Sequence, residues 1–342
     1  MIDSVALPER MTALVLHGKE DLRFEERPIP TPGPGTILLE VRSVGVCGSD
    51  KHFYFEGRAS SSIVTGPVVL GHEFGGRVVA LGPGVGRTLL NQRVSVEPQM
   101  PCRKCRQCLE GLYNLCPNVQ FFGVPGTDGA LQEYLVIPVE NVFPIPDEVS
   151  DDAAAVVETI SVSLWGGHRG NIEPGQSVLV TGAGPIGLFA IQVARIRGAG
   201  RIVAVEPQPA RRTYAEKLGA ETAESLTQVE GPFDVFMECT GVDSVRHDGS
   251  LLVVPGGNAV FIGVGLQAAS VPMPAVIERE VKIIGVMRYR FTWPAVIKAI
   301  ANGQYVVDDL VTRRVAFKDA ISAWTAAEYA ATEIKTIIHV RE

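Results

Sequence analysis

The segment that most restricts what this chain can fold into is Gly182-Ala183-Gly184-Pro185-Ile186-Gly187. It comes after the apolar run SVLVT, opens the helical run GLFAIQVARIRG, and is succeeded in turn by a second apolar run, RIVAVE. Strand, helix, strand in that order is a βαβ unit. Its crossover brings the chain back to the same end of the sheet, so the two strands pair in parallel. Further strand candidates are FDVFMECTG, NAVFIGVG and VKIIGV. The middle of the chain is therefore expected to be an α/β domain with a doubly wound parallel sheet.

In that setting the three glycines have distinct duties. The first makes a tight turn, the second lets the backbone approach a pyrophosphate, and the third lets helix and strand pack closely. The helix start adds unpaired N–H groups and a favourable dipole for phosphate. Glu206 closes the second strand, where a carboxylate can accept hydrogen bonds from adenosine ribose hydroxyls and repel a 2′-phosphate. NAD is thus expected over NADP, although Arg211 and Arg212 just beyond could accommodate that phosphate. Gly182, Gly184, Pro185, Ile186, Gly187, Glu206 and Arg211 are the candidate cofactor residues here. The competing account is a glycine-rich turn that binds nothing. The acid and the strand–turn–helix context speak against it.

The first 150 residues read differently. ALVLHG, TILLEVRSVGVCG, GRVVALG and RVSVEP are short apolar runs punctuated by Pro and Gly, a barrel-like all-β pattern. DDAAAVVETISVSLWGGHR has the alanine content, length and acidic start of a helix. WPAVIKAIANGQY begins as a helix, and LVTRRVAF and KTIIHV are expected to rejoin the β-rich part. A chain of 342 residues suits two domains. Its net charge of −7 argues against a nucleic-acid partner. No apolar run nears the length of a membrane span, and the first residues lack a signal peptide's basic start, so the expectation is a cytoplasmic protein.

Of six cysteines, four are crowded into Cys102-x2-Cys105-x2-Cys108-x7-Cys116. Zinc takes four tetrahedral ligands, and closely spaced thiolates on a loop supply them. With no position left open, such a site is structural. Free thiols crowded on a loop would instead oxidise. A zinc-ribbon interaction module would share the spacing but fits poorly with an acidic chain that also carries a βαβ domain. Cys47, in Gly45-Val46-Cys47-Gly48-Ser49-Asp50-Lys51-His52, and His72, in Gly71-His72-Glu73-Phe74-Gly75-Gly76, are each weak metal signals alone. A lone Cys is usually a small buried hydrophobe.

Together, Cys-Gly-Ser-Asp-x-His, Gly-His-Glu, the cysteine lobe, Gly-Ala-Gly-Pro-Ile-Gly and Glu-Cys-Thr-Gly at 238–241 resemble the medium-chain zinc-dependent dehydrogenases over essentially the full length. The resemblance implies a GroES-like β-barrel catalytic domain at 1–155 and 295–342, with a structural-zinc lobe near 100–117. It implies a Rossmann domain at 156–294 and an active site in the cleft between the two. It also implies two zinc ions per chain. One is structural; the other is catalytic and held by Cys47, His72 and a glutamate, Glu73 or Glu158, depending on the bound state. Glu158 stands where many relatives carry a second cysteine ligand, which resembles the sorbitol and xylitol (polyol) dehydrogenases, as does Met287-Arg288-Tyr289. By the same resemblance Phe53, Phe122, Glu158, Arg288 and Tyr289 face the substrate, and Val264, Gly265, Leu266, Val286, Met287 and Arg288 the cofactor. The chain departs from that pattern at Phe53, where a tyrosine is usual, and at Glu158-Thr159-Ile160, where Glu-Pro-Leu is usual.

The chemistry expected is oxidation of a secondary hydroxyl of a sugar alcohol. A zinc ion with an open position lowers the cost of removing the hydroxyl proton. Ser49 is the expected first proton acceptor, His52 the outer relay, and Glu158 a partner for a neighbouring hydroxyl. Hydride transfer belongs to NAD. Other readings are the same fold acting on a vicinal diol or threonine, and a non-enzymatic zinc-stabilised NAD sensor, which would have no need of Ser49 and His52. The expected assembly is a homodimer or homotetramer.

Overall fold

A computed structural model describes residues 7–265, 270–326 and 332–341. The chain divides into two compact units, Met1–Glu158 with Trp293–Glu342, and Thr159–Thr292. Within the described residues the fold is the expected pairing of a β-barrel-like unit and a parallel α/β unit.

The first unit is built on a seven-stranded sheet. Along its path run Val142–Pro144, Arg93–Val96, Glu73–Leu81, Thr36–Gly45, Lys335–His339 and Val311–Ala316, and Tyr134–Pro138 adds to Thr36–Gly45. A second sheet orders Asp21–Pro28, Arg10–Gly18 and Val68–Val69. Val15, Leu16, Ile37, Val41, Val44, Phe74 and Val94 form a continuous apolar core. Both Arg10–Gly18 and Thr36–Gly45 carry consecutive buried positions, 13–16 in the first and 37–39 and 43–45 in the second, so they are covered on both faces along much of their length. Strand register brings distant parts of the chain together. Gly45 is opposite Glu73 on one side and opposite Ile337 on the other. Residues just past the end of Thr36–Gly45 therefore meet the start of Glu73–Leu81 and the start of Lys335–His339 at one place.

The second unit is a six-stranded all-parallel sheet in the order Glu221–Ala223, Arg201–Val205, Ser177–Thr181, Phe233–Glu238, Val253–Phe261, Lys282–Gly285. Counted along the chain this is 3-2-1-4-5-6, so strand order reverses between Ser177–Thr181 and Phe233–Glu238. Open α/β sheets bind their ligands beyond the carboxyl ends of strands at such a switch point. Val178, Leu179, Val180, Phe236 and Met237 are fully buried, as sheet residues covered on both faces should be. The helix expected from DDAAAVVETISVSLWGGHR is found at Asp151–Arg169, with Asp151 and Asp152 in its first turn and His168 and Arg169 in its last, matching the helix dipole.

Candidate active site

The metal-binding geometry in the first unit grows out of this strand register. The chain leaves Thr36–Gly45, and Cys47 becomes the N-cap residue of the helix Gly48–Glu56. Asp50 at the third helical position turns its Oδ2 back to accept from the Cys47 backbone N–H at 2.9 Å. Its other oxygen, Oδ1, is 3.5 Å from His72 Nδ1. One buried carboxylate thus orients two of the expected donors, as carboxylates behind metal-binding histidines commonly do. The donor atoms of Cys47, His72 and Glu73 all lie within 4.8 Å of one another. Asp50, His72, Glu73 and Glu158 are all buried. Burial pushes the His72 pKa down, yet the nearby Asp50 carboxylate and Cys47 sulfur outweigh it and hold the pKa well above the ordinary histidine value. One thiolate, one imidazole and one carboxylate are donors zinc accepts, so these residues fit the metal.

Sequence reasoning missed Lys335. It is 2% exposed, forms an ion pair with Glu73 Oε2, and donates to the Val46 carbonyl at 3.1 Å. Burial lowers its pKa, but Glu73, Cys47 and Glu158 together raise it, so the ammonium stays charged. Asp50 was also missed, although it lies inside the Cys-Gly-Ser-Asp-x-His motif.

Other candidates are spread more widely. Glu158 is outside the three-donor group, but its charge reaches Lys335. Ser49 is half-buried on Gly48–Glu56. His52, on the same helix, has Nδ1 2.7 Å from Glu56 Oε1, one helical turn on. Phe53 is packed in the core. Phe122 is in the core too, edge-on to Phe74; the aromatic ring beside His72 is Phe121, with centroids 5.6 Å apart.

In the cysteine lobe the sulfurs of Cys102, Cys105, Cys108 and Cys116 lie within 4.8 Å of one another, with Cys105 Sγ 3.4 Å from Cys108 Sγ and 3.8 Å from Cys116 Sγ. Tetrahedral ligands about 2.3 Å from a zinc ion are about 3.8 Å apart, so the lobe has the right size. Backbone N–H groups of Lys104 and Cys105 lower the Cys102 pKa to about 6, while burial and neighbouring sulfurs push Cys108 up to about 12.

In the second unit, Gly182 takes φ +84°, a conformation suited to glycine. A Cβ on Gly187 would fall 1.7 Å from the Gly182 carbonyl oxygen, whereas around Gly184 there is open space. The third glycine therefore closes the turn and the second leaves bare backbone for a phosphate, at the start of the helix Pro185–Ile196. Glu206 accepts from the Ala183 N–H at 2.8 Å, which fastens the end of the second strand to that turn. The Arg212 guanidinium is engaged with the carbonyls of Glu206 and Pro207. Glu238, fully buried, accepts from the Gly241 N–H at 2.7 Å and from Arg246 at 3.2 Å, and it fixes the Cys239–Gly241 turn beside Gly182. Gly265 is half-buried and Val264 exposed, but Leu266 lies outside the described residues. Val286 and Arg288 are half-buried, Met287 is exposed and Tyr289 is fully buried. These residues fit a dinucleotide whose pyrophosphate rests on Gly182–Gly187.

Comparison with known proteins agrees with both units. Residues 33–147 match the family model described as alcohol dehydrogenase GroES-like domain, and residues 185–302 match that described as zinc-binding dehydrogenase. The sorbitol dehydrogenase of Bacillus subtilis (strain 168) is 34% identical over 335 residues, covering 94% of each protein. Among solved structures, an Escherichia coli oxidoreductase/dehydrogenase of unknown specificity superposes with TM-score 0.92 at 30% identity, covering 97% of this chain and 100% of the other. The 2R,3R-butanediol dehydrogenase of Bacillus subtilis superposes with TM-score 0.88, also at 30% identity, over 97% and 100%.

Proposed function

The chain belongs to the medium-chain, zinc-dependent alcohol dehydrogenases, and on that premise we propose that it is an NAD-dependent polyol dehydrogenase. It oxidises a secondary hydroxyl of a sugar alcohol of the sorbitol, iditol or xylitol type to the ketose, and reduces the ketose in reverse. The observation that carries this reading is the donor set itself: Cys47, His72 and a carboxylate, Glu73, within 4.8 Å. When bound there, zinc supplies Lewis acidity and NAD supplies the hydride acceptor.

The residues of the chain do the rest. Cys47, His72 and a glutamate, Glu73 or Glu158 depending on the bound state, hold the metal, and Asp50 sits against His72 and the Cys47 backbone. Ser49 takes the hydroxyl proton, since its own hydroxyl both accepts and donates. His52 passes it outward. Its Nδ1 lies 2.7 Å from Glu56 Oε1, which leaves Nε2 as the nitrogen available to the relay. Glu158 accepts a hydrogen bond from a neighbouring substrate hydroxyl, which selects polyols over simple alcohols. Arg288 and Tyr289, with the aromatic pair Phe121 and Phe122, shape the substrate side. Gly182, Gly184, Pro185, Ile186 and Gly187 take the pyrophosphate, and Glu206 takes the ribose hydroxyls. A carboxylate there, beside an Arg212 already engaged, favours NAD over NADP.

A vicinal diol is the second reading, favoured by the likeness to a butanediol dehydrogenase. The test is a panel of sorbitol, xylitol, 2,3-butanediol and threonine, each with NAD and with NADP, monitored by NADH or NADPH absorbance. The expected outcome is highest kcat/KM for a polyol with NAD. Preference for butanediol would select the second reading, and no turnover with any of them would reject both. We propose further that the enzyme is a cytoplasmic homodimer or homotetramer. No described helix is long and apolar enough to cross a membrane.

A further inference from the structure

Lys335 is a full positive charge buried at a site built to receive a cation. It is 2% exposed and Glu73, its partner, 1%. The pair rests on bare backbone: a Cβ on Gly45 would overlap Glu73 Oε2 and come within 3.0 Å of Lys335 Cε. Nζ is held on a second side by the Val46 carbonyl, so the ammonium has little freedom to swing away. Around it stand Cys47, Glu73 and Glu158, three groups that are anionic when ionised. If all were available to a divalent cation, the metal would be wrapped in negative charge and its open position filled, which is the condition of a structural rather than a catalytic site.

We propose that Lys335 is a positioning residue for the metal centre: its ammonium competes for Glu73, keeps that carboxylate a weak and exchangeable donor, and so preserves an open position for the substrate oxygen. The assignment rests on reading Cys47, His72 and Glu73 as the catalytic metal site. It accounts for an arrangement that a purely structural role leaves idle. A buried glutamate needs a partner, but nothing about stability requires that partner to occupy the oxygen of a metal donor.

The test compares the intact zinc-loaded protein with K335M, K335R and the double variant K335M/E73Q. Zinc affinity is measured by chelator competition. Cobalt substitution distinguishes the one-thiolate site from the four-thiolate lobe by its charge-transfer bands, and a thermal melt checks folding. K335M is expected to hold the catalytic metal about 10- to 100-fold more tightly, the scale on which residues behind the ligands alter metal affinity. Its cobalt d–d bands should shift and kcat should fall more than KM changes. K335R, which keeps the charge, should retain wild-type affinity and spectrum. The double variant removes both charges together, so Glu73 is not left as an unpaired buried ion. Its affinity should drop back below that of K335M. Unchanged or weaker metal binding in K335M overturns the assignment, as does a double variant that binds as tightly as K335M. If the wild-type protein takes up only one metal equivalent, with the four-thiolate spectrum, the catalytic-site reading itself falls.

Discussion

At the scale of single residues, two positions give sharp expectations. The Cβ of a Gly187→Ala variant would sit 1.7 Å from the Gly182 carbonyl oxygen, so the turn must open. We expect NADH affinity, measured by fluorescence titration, to fall about tenfold or more, because backbone displaced at the helix start no longer meets the phosphates. Wild-type affinity in that variant would mean the turn does not receive the cofactor. Glu158→Gln keeps shape but loses charge, and its kcat/KM should fall about tenfold more for a polyol than for a simple secondary alcohol, because only the polyol has the extra hydroxyl to lose a partner. Equal losses would remove Glu158 from substrate selection. Cys47, His72 and Glu73 are weak metal signals singly and were legible only through the resemblance that Cys-Gly-Ser-Asp-x-His and Gly-His-Glu carry. Lys335 was not, since a lysine opening KTIIHV reads as a solvated strand end. Its burial comes from a three-strand register that joins positions 45, 73 and 337, and no local pattern carries that. The aromatic beside His72 was not legible for a similar reason. Phe121 and Phe122 are equivalent in the sequence, and only the fold decides which ring turns toward His72.

At the scale of elements, the cysteine lobe and the Asp152 cluster behave differently with conditions. The lobe has only the four-residue helix Arg106–Leu109 and a short turn at Tyr113–Leu115, too little to stand without its sulfurs bridged. Arg103, Lys104 and Arg106 are exposed already, so stripping the metal should speed tryptic cleavage there by loosening the backbone, and reloading zinc should restore protection. Cleavage at the same rate in both states would refute a structural zinc. Binding must also displace the proton that Cys108 holds up to about 12, so zinc affinity should rise with pH. Elsewhere in the unit, Asp152 joins three strands, Thr36–Gly45, Val311–Ala316 and Lys335–His339. Its Oδ1 lies 2.7 Å from His339 Nε2, its Oδ2 accepts from Arg314 at 2.7 Å, and Ser43 reaches it at 3.3 Å. The bond to Asp152 raises the His339 pKa above 6.5, against burial and the Arg314 charge, with Asp151 adding to the rise. A raised histidine contributes stability below its unfolded pKa and loses it as pH climbs through the folded one. Burial works against Asp152, but His339 and Arg314 hold its pKa below 3.8, so that contribution fades only as pH falls through the lowered value. The stability difference between wild type and His339→Gln, read from melting temperatures and on the order of 1 kcal/mol, should therefore be fully present below about pH 6.5, shrink as pH rises through the raised histidine value, and fade at the acid end only as Asp152 protonates. A gap that widens with pH would contradict the pairing.

At the scale of the whole molecule, most of the architecture was legible because periodicity announces it. The βαβ order gave the parallel sheet, and five of its strands coincide with apolar runs in the sequence. The sixth, Glu221–Ala223, is three residues long with half-exposed polar positions, so it owes its place to pairing with Arg201–Val205 rather than to any pattern of its own. The same sheet ends at Lys282–Gly285, which among the described residues has a strand partner on one side only. Ile283 is exposed on that strand, and Ile277 is exposed on the preceding helix. An open edge lined with apolar side chains invites pairing with another chain. Light scattering on the eluting protein should give at least twice the 36.7 kDa chain mass, and Ile283→Lys should shift it toward the monomer. A monomer at micromolar concentration would show the edge is tolerated bare.

The meeting of Gly45, Glu73 and Ile337 also orders events in time. A ribosome delivers Cys47, His72 and Glu73 long before Lys335, so the nascent chain presents three donors with no ammonium among them. Were an ion captured at that stage, the docking of Lys335–His339 would be the step that brings the ammonium to Glu73. Metal acquisition during biosynthesis and metal chemistry in the finished enzyme would then be separate phases, divided by the docking of one strand.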